Sequence, residues 1–342
     1  MQRRAFIISA LSGAAARAAG EKIRIAFLGG SYSHGLQKAR ILLNSPAFEL
    51  AGIWEENKGV RSKYESLGIR PLPLEQILSD KSIAAVAVES DIADHGRHGL
   101  MALEANKHLH LEKPPATSWE DFRRIVSLAE SRRLVLQTGY MWRYNPGFVK
   151  LLEAARNGWL GDVYQMHGVM NTLLAPQRRP DWGRFRGGQM FEQGGYMIDA
   201  MVRLLGRPSK VSSWLRRDGR FDDPLMDNTV AVLEFPHALG VVRCAALQPN
   251  AASYRAFEVQ GTNGTAVLRP VEEPELVIDL AKAAGPYQPG PQKVGLPPYA
   301  RFKEDFVDFA AAIRGEQRLA VSPQQELLTQ ETLLRACGVL PG

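Results

Sequence analysis

The stretch KIRIAFLGGSYSHG, residues 22–35, runs from an apolar, β-branched segment through Gly29-Gly30 to a further glycine at Gly35. An apolar run cut by glycines fits a buried strand feeding a tight turn, and residues 35–43 after it fit a helix. Outward from this unit the rhythm recurs. Strands are expected at 49–54, 83–88, 108–111 and 134–138, and helices at 74–78, 93–105 and 119–132. Nearly all-apolar strands are covered on both faces, so their alternation with helices predicts a parallel sheet with helices on each side. Right-handed crossovers make it doubly wound, a Rossmann-type nucleotide-binding domain over residues 21–141.

After Tyr140 the rhythm changes. A helix over 146–157 stops at Gly158, and strands at 163–169, 229–235, 240–246, 257–261 and 265–268 follow, joined by turns such as Asn263-Gly264. Turns without intervening helices predict a large, mostly antiparallel sheet. The Gly- and Pro-rich stretch 284–299 reads as a surface linker ahead of two closing helices, 301–313 and 323–337. Residues 142–342 are therefore expected to form a second α/β domain that binds substrate. A sheet covered by helices on one side only leaves a face in need of a partner, which predicts a homo-oligomer.

With 342 residues, 45% hydrophobic and 23% charged, the chain can bury two cores of ordinary size. Its formal charge of +6 includes Arg3, Arg4 and Arg17, which lie in a leading segment without acids. The remainder is too weakly basic for nucleic-acid binding to be inferred, and it has no basic run interleaved with aromatics. An anionic small molecule is not excluded. Residues 1–19 join a basic start, an apolar stretch from Ala5 to about Ala16, and small residues at Ala16, Ala18 and Ala19. That is the composition of an export signal, and Arg3-Arg4 before Ala5-Phe6-Ile7 is similar to a twin-arginine leader, so a periplasmic or exported protein is expected. No later segment reaches the roughly 18 apolar residues of a membrane span. Cys244 and Cys337 have no CxxC spacing and are expected as buried thiols. His108 and His110 alternate along one short strand with no third ligand at useful spacing, so no metal is expected.

The turn Gly29-Gly30-Ser31-Tyr32-Ser33-His34-Gly35 sits where backbone N–H groups and a helix N-terminus can hold a pyrophosphate. It departs from GxGxxG, with Ser31 at the second glycine and His34 at the third. Glu55, at the end of the second strand, is placed to accept bonds from ribose hydroxyls and to repel a 2′-phosphate, which favours NAD over NADP. The tract ALEANKHLHLEKPPA, residues 102–116, ends its strand in Glu112-Lys113-Pro114 and so delivers an ammonium to the carboxyl edge of the sheet, where ligands of open α/β folds bind.

Glu112-Lys113-Pro114 with the preceding Ala102 to His108 resembles the signature of the Gfo/Idh/MocA oxidoreductases. His95, Arg143-Tyr144-Asn145-Pro146 and Gly261-Thr262-Asn263-Gly264-Thr265 match further motifs of that family. The resemblance implies cofactor contacts from Gly29, Gly30, Ser31, His34, Gly35, Glu55, Ser90, His95, Glu112 and Lys113, places Arg143 and Tyr144 near the substrate, and implies that the homo-oligomer is a dimer or tetramer. The segment from Gly187 to Asp199 resembles the family's GGxxxDxGxHxxD, with Glu192 at the Asp and Tyr196 at the catalytic His. On one helix, positions 192, 196 and 199 share a face, presenting carboxylate, phenol and carboxylate to the nicotinamide. Lys113, Tyr196 and Glu192 are the expected catalytic residues, with Asp199 at the substrate, and the Lys113 ammonium is expected to lower the Tyr196 phenol so that it serves as base.

The implied activity is hydride exchange between a nicotinamide and a secondary hydroxyl of a sugar, cyclitol or related polyol. Two other readings stay open. Export, away from free cytoplasmic NAD, fits an enzyme that recycles a tightly held cofactor within one cycle, as a sugar epimerase, glycosidase or lyase. The altered glycine and histidine fit a non-catalytic ligand-binding relative.

Overall fold

A chain that alternates buried apolar strands with amphipathic helices has one economical solution, and the computed structural model adopts it over the residues it describes, 21–342. The export signal read over residues 1–19 lies outside them. Strands β1 (Ile23–Leu28), β2 (Phe48–Trp54), β3 (Ala85–Val88), β4 (His108–Leu111) and β5 (Leu136–Thr138) form a parallel sheet in the order β2-β1-β3-β4-β5. Helices α1 (Gly35–Leu43), α2 (Lys58–Glu65), α3 (Leu74–Ser79), α4 (His95–Glu104) and α5 (Trp119–Ser131) join them. Every residue of β3 is buried, as a strand covered on both faces requires. The strand order reverses between β1 and β3, which opens a crevice at their carboxyl ends.

The second domain begins with α6 (Pro146–Arg156), capped by the Asn145 side chain, which accepts from Gly147 N and Phe148 N. Its sheet comprises β6 (Val163–Val169), β7 (Lys210–Arg216), β8 (Asn228–Glu234), β9 (Leu239–Ala245), β10 (Ala256–Gly261), β11 (Gly264–Leu268), β12 (Leu276–Leu280) and β13 (Gly290–Val294). The order is β13-β12-β11-β10-β6-β9-β8-β7, antiparallel except where β6 meets β9. Inward residues such as Met166, Val242, Phe257 and Ile278 are fully buried, while Trp214, Tyr164 and Val277 are exposed.

Four features differ from expectation. The stretch 284–299 contains edge strand β13, whose Pro291 lacks an N–H and is tolerated because the strand has a neighbour on one side only. Strands β7 and β12 and helix α2 join the predicted elements. The segment around Glu192 is one π-helical turn, Met190–Gly194, followed by α8 (Gly195–Leu205), with the short α7 (Arg179–Gly183) before it. Finally, the closing helices α9 (Lys303–Ile313) and α10 (Pro323–Ala336) return to the first sheet. Phe306 packs on Phe48 and His110, Gln137 Nε2 donates to Asp305 O at 3.0 Å, and Gln330 Nε2 donates to Ala116 O at 2.7 Å.

Candidate active site

The β1 turn is built for close approach. Gly29 has φ +75°, and a Cβ there would lie 2.4 Å from Ser90, so the turn packs directly on the segment after β3. The Tyr64 ring fills the space beneath Gly30 and Gly35, and its hydroxyl donates to Gly30 O at 2.9 Å. Glu55 is held by two backbone donors, Gly30 N and Asn57 N, each at 2.8 Å, which fixes a carboxylate at the end of β2. The amides of Ser31, Ser33 and His34 have no partner among the described residues. Free N–H groups at a helix start, a glycine cradle and a fixed carboxylate together fit the pyrophosphate and ribose of a dinucleotide.

Behind the turn lies a buried charge network. Lys38 of α1 is fully buried and donates to Glu89 at 2.6 Å, to Glu112 by a very short contact, and to His110 Nε2 at 2.9 Å. With Nε2 accepting, the His110 proton belongs on Nδ1, 2.8 Å from Gln137 Oε1. His108 Nδ1 accepts from Val135 N. Both histidines are thus committed to the fold, and among the described residues no group of His, Cys, Asp and Glu is arranged to hold a metal ion. Two carboxylates share one ammonium here. Burial pushes Glu89 up to about 8, while Lys38 and His34 hold Glu112 well below its ordinary range against its own burial. Glu112 in turn accepts the Lys113 backbone N–H at 2.7 Å and bonds His34 Nδ1 at 3.1 Å. His95 is fully buried, bridging Pro114 O at 2.7 Å and Ser90 O at 3.1 Å, so it ties the β3 loop to the Lys113–Pro114 turn.

Lys113 leaves β4 and reaches the second domain. Its Nζ donates to the Glu192 carbonyl at 2.8 Å and to Glu192 Oε1 at 3.0 Å, and it lies over the rings of Tyr32 and Tyr196, 5.4 and 5.0 Å from their centroids. Tyr32 donates its hydroxyl to the same Oε1 at 2.9 Å. Glu192 Oε2 is buried and has no partner, and neither has Gln193 Oε1. Burial raises the Glu192 carboxyl above its ordinary range although Lys113 and Tyr32 oppose the shift. Glu192, Gln193 and Tyr196 line a cleft of about 430 Å³ together with His34, Arg178, Arg255, Glu272 and Arg301.

The π turn breaks the expected common face. Glu192 and Tyr196 both line the cleft, but Asp199 is turned inward, where it receives Arg143 Nη2 at 2.7 Å and the Thr329 hydroxyl at 3.1 Å. Arg143 is held on its other side by Glu326 at 2.6 Å, and Tyr144 donates to Asp308 at 2.6 Å. Arg143, Tyr144 and Asp199 are therefore bound to one another's neighbourhood in the core rather than to the cleft, a correction to their expected place beside substrate. A second correction concerns Tyr196. Lys113 faces its ring rather than its hydroxyl, and burial, with the charges of Glu112 and Glu192, drives the phenol well above its ordinary value instead of lowering it. Sequence reasoning missed Tyr32, Lys38, Glu89 and the three arginines. A lysine among the apolar residues of an amphipathic helix was the available signal for Lys38. The arginines come from three separate loops and gave none.

Comparison with known proteins agrees with this architecture. A family model described as an oxidoreductase family with an NAD-binding Rossmann fold, GFO/IDH/MocA, matches residues 23–140, and the C-terminal domain model of the same family matches residues 148–267. D-glucoside 3-dehydrogenase of Escherichia coli K12 is 32% identical over 160 residues, 44% of each chain. Inositol 2-dehydrogenase of Salmonella typhimurium LT2 is 25% identical over 169 residues, 48% of each. The matched part thus spans about half the length of these curated relatives. An aldose-aldose oxidoreductase from Caulobacter crescentus superposes with a TM-score of 0.79 at 20% identity, covering 93% of this chain and 98% of that one, which establishes a common fold.

Proposed function

Since the chain belongs to the Gfo/Idh/MocA oxidoreductase family, with an NAD(P)-binding Rossmann domain, we propose that it oxidises a secondary hydroxyl of a sugar, cyclitol or related polyol, or reduces the matching ketone. The observation that carries this reading is the Lys113–Glu192 pair, 3.0 Å apart beside the cleft, with an unpartnered carboxylate oxygen. Ser31, Ser33 and His34 amides would hold the cofactor pyrophosphate, and Glu55 the ribose. A nicotinamide bound there supplies the two-electron redox chemistry. Lys113 uses two of its N–H donors on Glu192 and has a third for the substrate oxygen, where it stabilises developing alkoxide. Glu192 Oε2 takes the hydroxyl proton, and its raised carboxyl suits a base working near neutrality better than an ordinary one. Tyr32 and Lys113 fix Oε1, which leaves Oε2 to the substrate. Tyr196 keeps its proton and serves as a wall and hydrogen-bond donor.

NAD is the preferred cofactor on this account because Glu55 stands where a 2′-phosphate would sit. Relatives named as glucoside and inositol dehydrogenases support a sugar or cyclitol substrate. Export through the leading twin-arginine-like segment, and self-association through the sheet face that carries Trp214 and Tyr164, belong to the same proposal. Cell fractionation and light scattering test those two. The activity is tested by a panel of sugars and polyols with NAD⁺ and NADP⁺, followed at the reduced-nicotinamide absorbance. Turnover with at least one polyol is expected, and binding of a polyol without redox change under either cofactor would refute it.

A further inference from the structure

The cleft lined by Glu192 and Tyr196 is cationic beyond what the fold needs. Arg178, Arg255 and Arg301 all line it, and Glu272 is the single acid among them. Glu272, in the turn between β11 and β12, pairs with Arg255 at 3.1 Å and also with Arg301 by a very short contact. Arg178 lies 5.6 Å over the Trp182 ring and has no carboxylate partner among the described residues. The other carboxylate of the cleft, Glu192, is already matched by Lys113. Three guanidiniums therefore share one carboxylate.

Such an excess is not neutral energetically. Arg255 is largely buried, with a side chain 15% exposed, and both Arg255 and Arg301 are lowered by burial, Arg301 also by repulsion from Arg255. Desolvated like charges held together call for an incoming anion, and guanidinium is the group that grips carboxylate or phosphate through two parallel bonds. Glu272 already shows that a carboxylate can bridge two of these groups. Phe302 adds a second sign of construction. It adopts φ +64°, costly for a bulky residue, while burying its ring on His34, and so fixes the turn from which Arg301 enters the cleft.

The reacting end opens on the same cleft, through Glu192 and Tyr196. Lys113 lies over the Tyr196 ring, 5.0 Å from its centroid, and Tyr196 lines the same cleft as the three arginines. A cleft of about 430 Å³ is of the size that takes a small molecule such as a monosaccharide. We propose that the substrate is an anionic sugar, carrying a carboxylate or phosphate held by Arg178, Arg255 and Arg301 while a ring hydroxyl meets Lys113 and Glu192. This rests on the redox reading for the Lys113 end only.

The test is calorimetric binding, with NAD⁺ present, of D-glucuronate, D-glucose 6-phosphate and their neutral parent D-glucose. At least one anion is expected to bind tenfold or more tightly than glucose, with an affinity that falls as salt rises, and the stronger of the two identifies carboxylate or phosphate. Arg301→Gln and Arg178→Gln, on partly exposed side chains, should each erase most of that preference and leave glucose binding and the melting temperature near wild type. Equal affinities for all three probes, absence of binding by both anions at millimolar concentration, or a preference untouched by either variant overturns the proposal. An anion preference without nicotinamide reduction by any substrate would instead sink the redox reading and leave the cationic subsite standing.

Discussion

Replacing Lys38 by Met should unbalance the buried network without changing its volume much. Among the described residues Lys38 is the one ammonium that touches both Glu89 and Glu112, and none of the three is exposed to solvent. In its absence Glu89, already raised to about 8, stays protonated near neutrality. Glu112 then keeps only His34 and the Lys113 amide as partners. Removing one partner of a buried ion pair costs about 3–5 kcal/mol, because the remaining charge is left in a low-dielectric interior. At roughly 2–4 °C per kcal/mol for domains of this order, the melting temperature should fall by about 6–20 °C. The loss should shrink as pH falls, since a native Glu112 without its ammonium has its pKa raised by burial and takes up a proton as pH drops through that raised value, a recovery complete near the ordinary carboxyl's roughly 4.3. Thermal unfolding followed by circular dichroism from pH 4.5 to 8 reads both effects. A variant melting within about 2 °C of wild type at pH 7.5, where the ordinary carboxylate is ionised, would refute the assignment of Lys38 as the counter-charge of this network.

Tyr196→Phe should keep most turnover, because a phenol raised well above its ordinary value cannot be the base, whereas Glu192→Gln should lose about 10²–10⁴-fold. The wild-type rate of alcohol oxidation should accordingly rise with pH through an apparent pKa above a free carboxyl's and far below a phenol's; a limb near pH 10 would return the role to Tyr196. Asp199→Asn should cost about 3 kcal/mol in denaturant unfolding, since it weakens the Arg143 cluster, and leave KM unchanged; a KM effect with normal stability would put Asp199 back at the substrate. Stability should peak near pH 7. Glu89 and Asp305, raised to about 8 and about 7, bind protons more tightly folded than unfolded and contribute less as pH climbs from about 5 to 8. His95, His98 and His110, all lowered by burial, bind protons less tightly folded and cost stability as pH drops below about 6.5. A melting temperature that climbs steadily from pH 7 to 8.5 would contradict this balance.

The parallel sheet was legible because its strands are buried on both faces: AVAV at 85–88 and HLHL at 108–111 can hardly be anything else between glycines and helices. Helix α2 was not, since Tyr64 is its one buried residue and apolar periodicity is nearly absent; its Asn57 cap, which accepts from Gly59 N and Val60 N, was the better signal. Strand β12 alternates buried Leu276, Ile278 and Leu280 with exposed Val277 and Asp279 and was readable in principle, whereas β13, an edge with a proline, was not. At the site, spacing brought Glu192 and Tyr196 to one cleft but misplaced Asp199, because a π turn holds more residues than the 3.6 per turn on which helix-face arguments rest. Pairings of long sequence separation, Lys113 with Glu192 and Arg143 with Glu326, depend on how distant segments pack together and leave no local trace.

Lys113→Ala in the full chain tests the central claim most directly. Cofactor affinity is measured by fluorescence titration with NAD⁺, and single-turnover nicotinamide reduction is then followed with the best polyol or anionic sugar from the panels. The cofactor contacts assigned to the Gly29–Gly35 turn and Glu55 do not involve the Lys113 side chain, so NAD⁺ binding should stay within a few-fold of wild type. Reduction should fall by about 10²-fold or more, because the substrate oxygen loses its ammonium and Glu192 loses one of the two contacts that fix Oε1. Near-normal reduction by Lys113→Ala with cofactor bound would contradict the account.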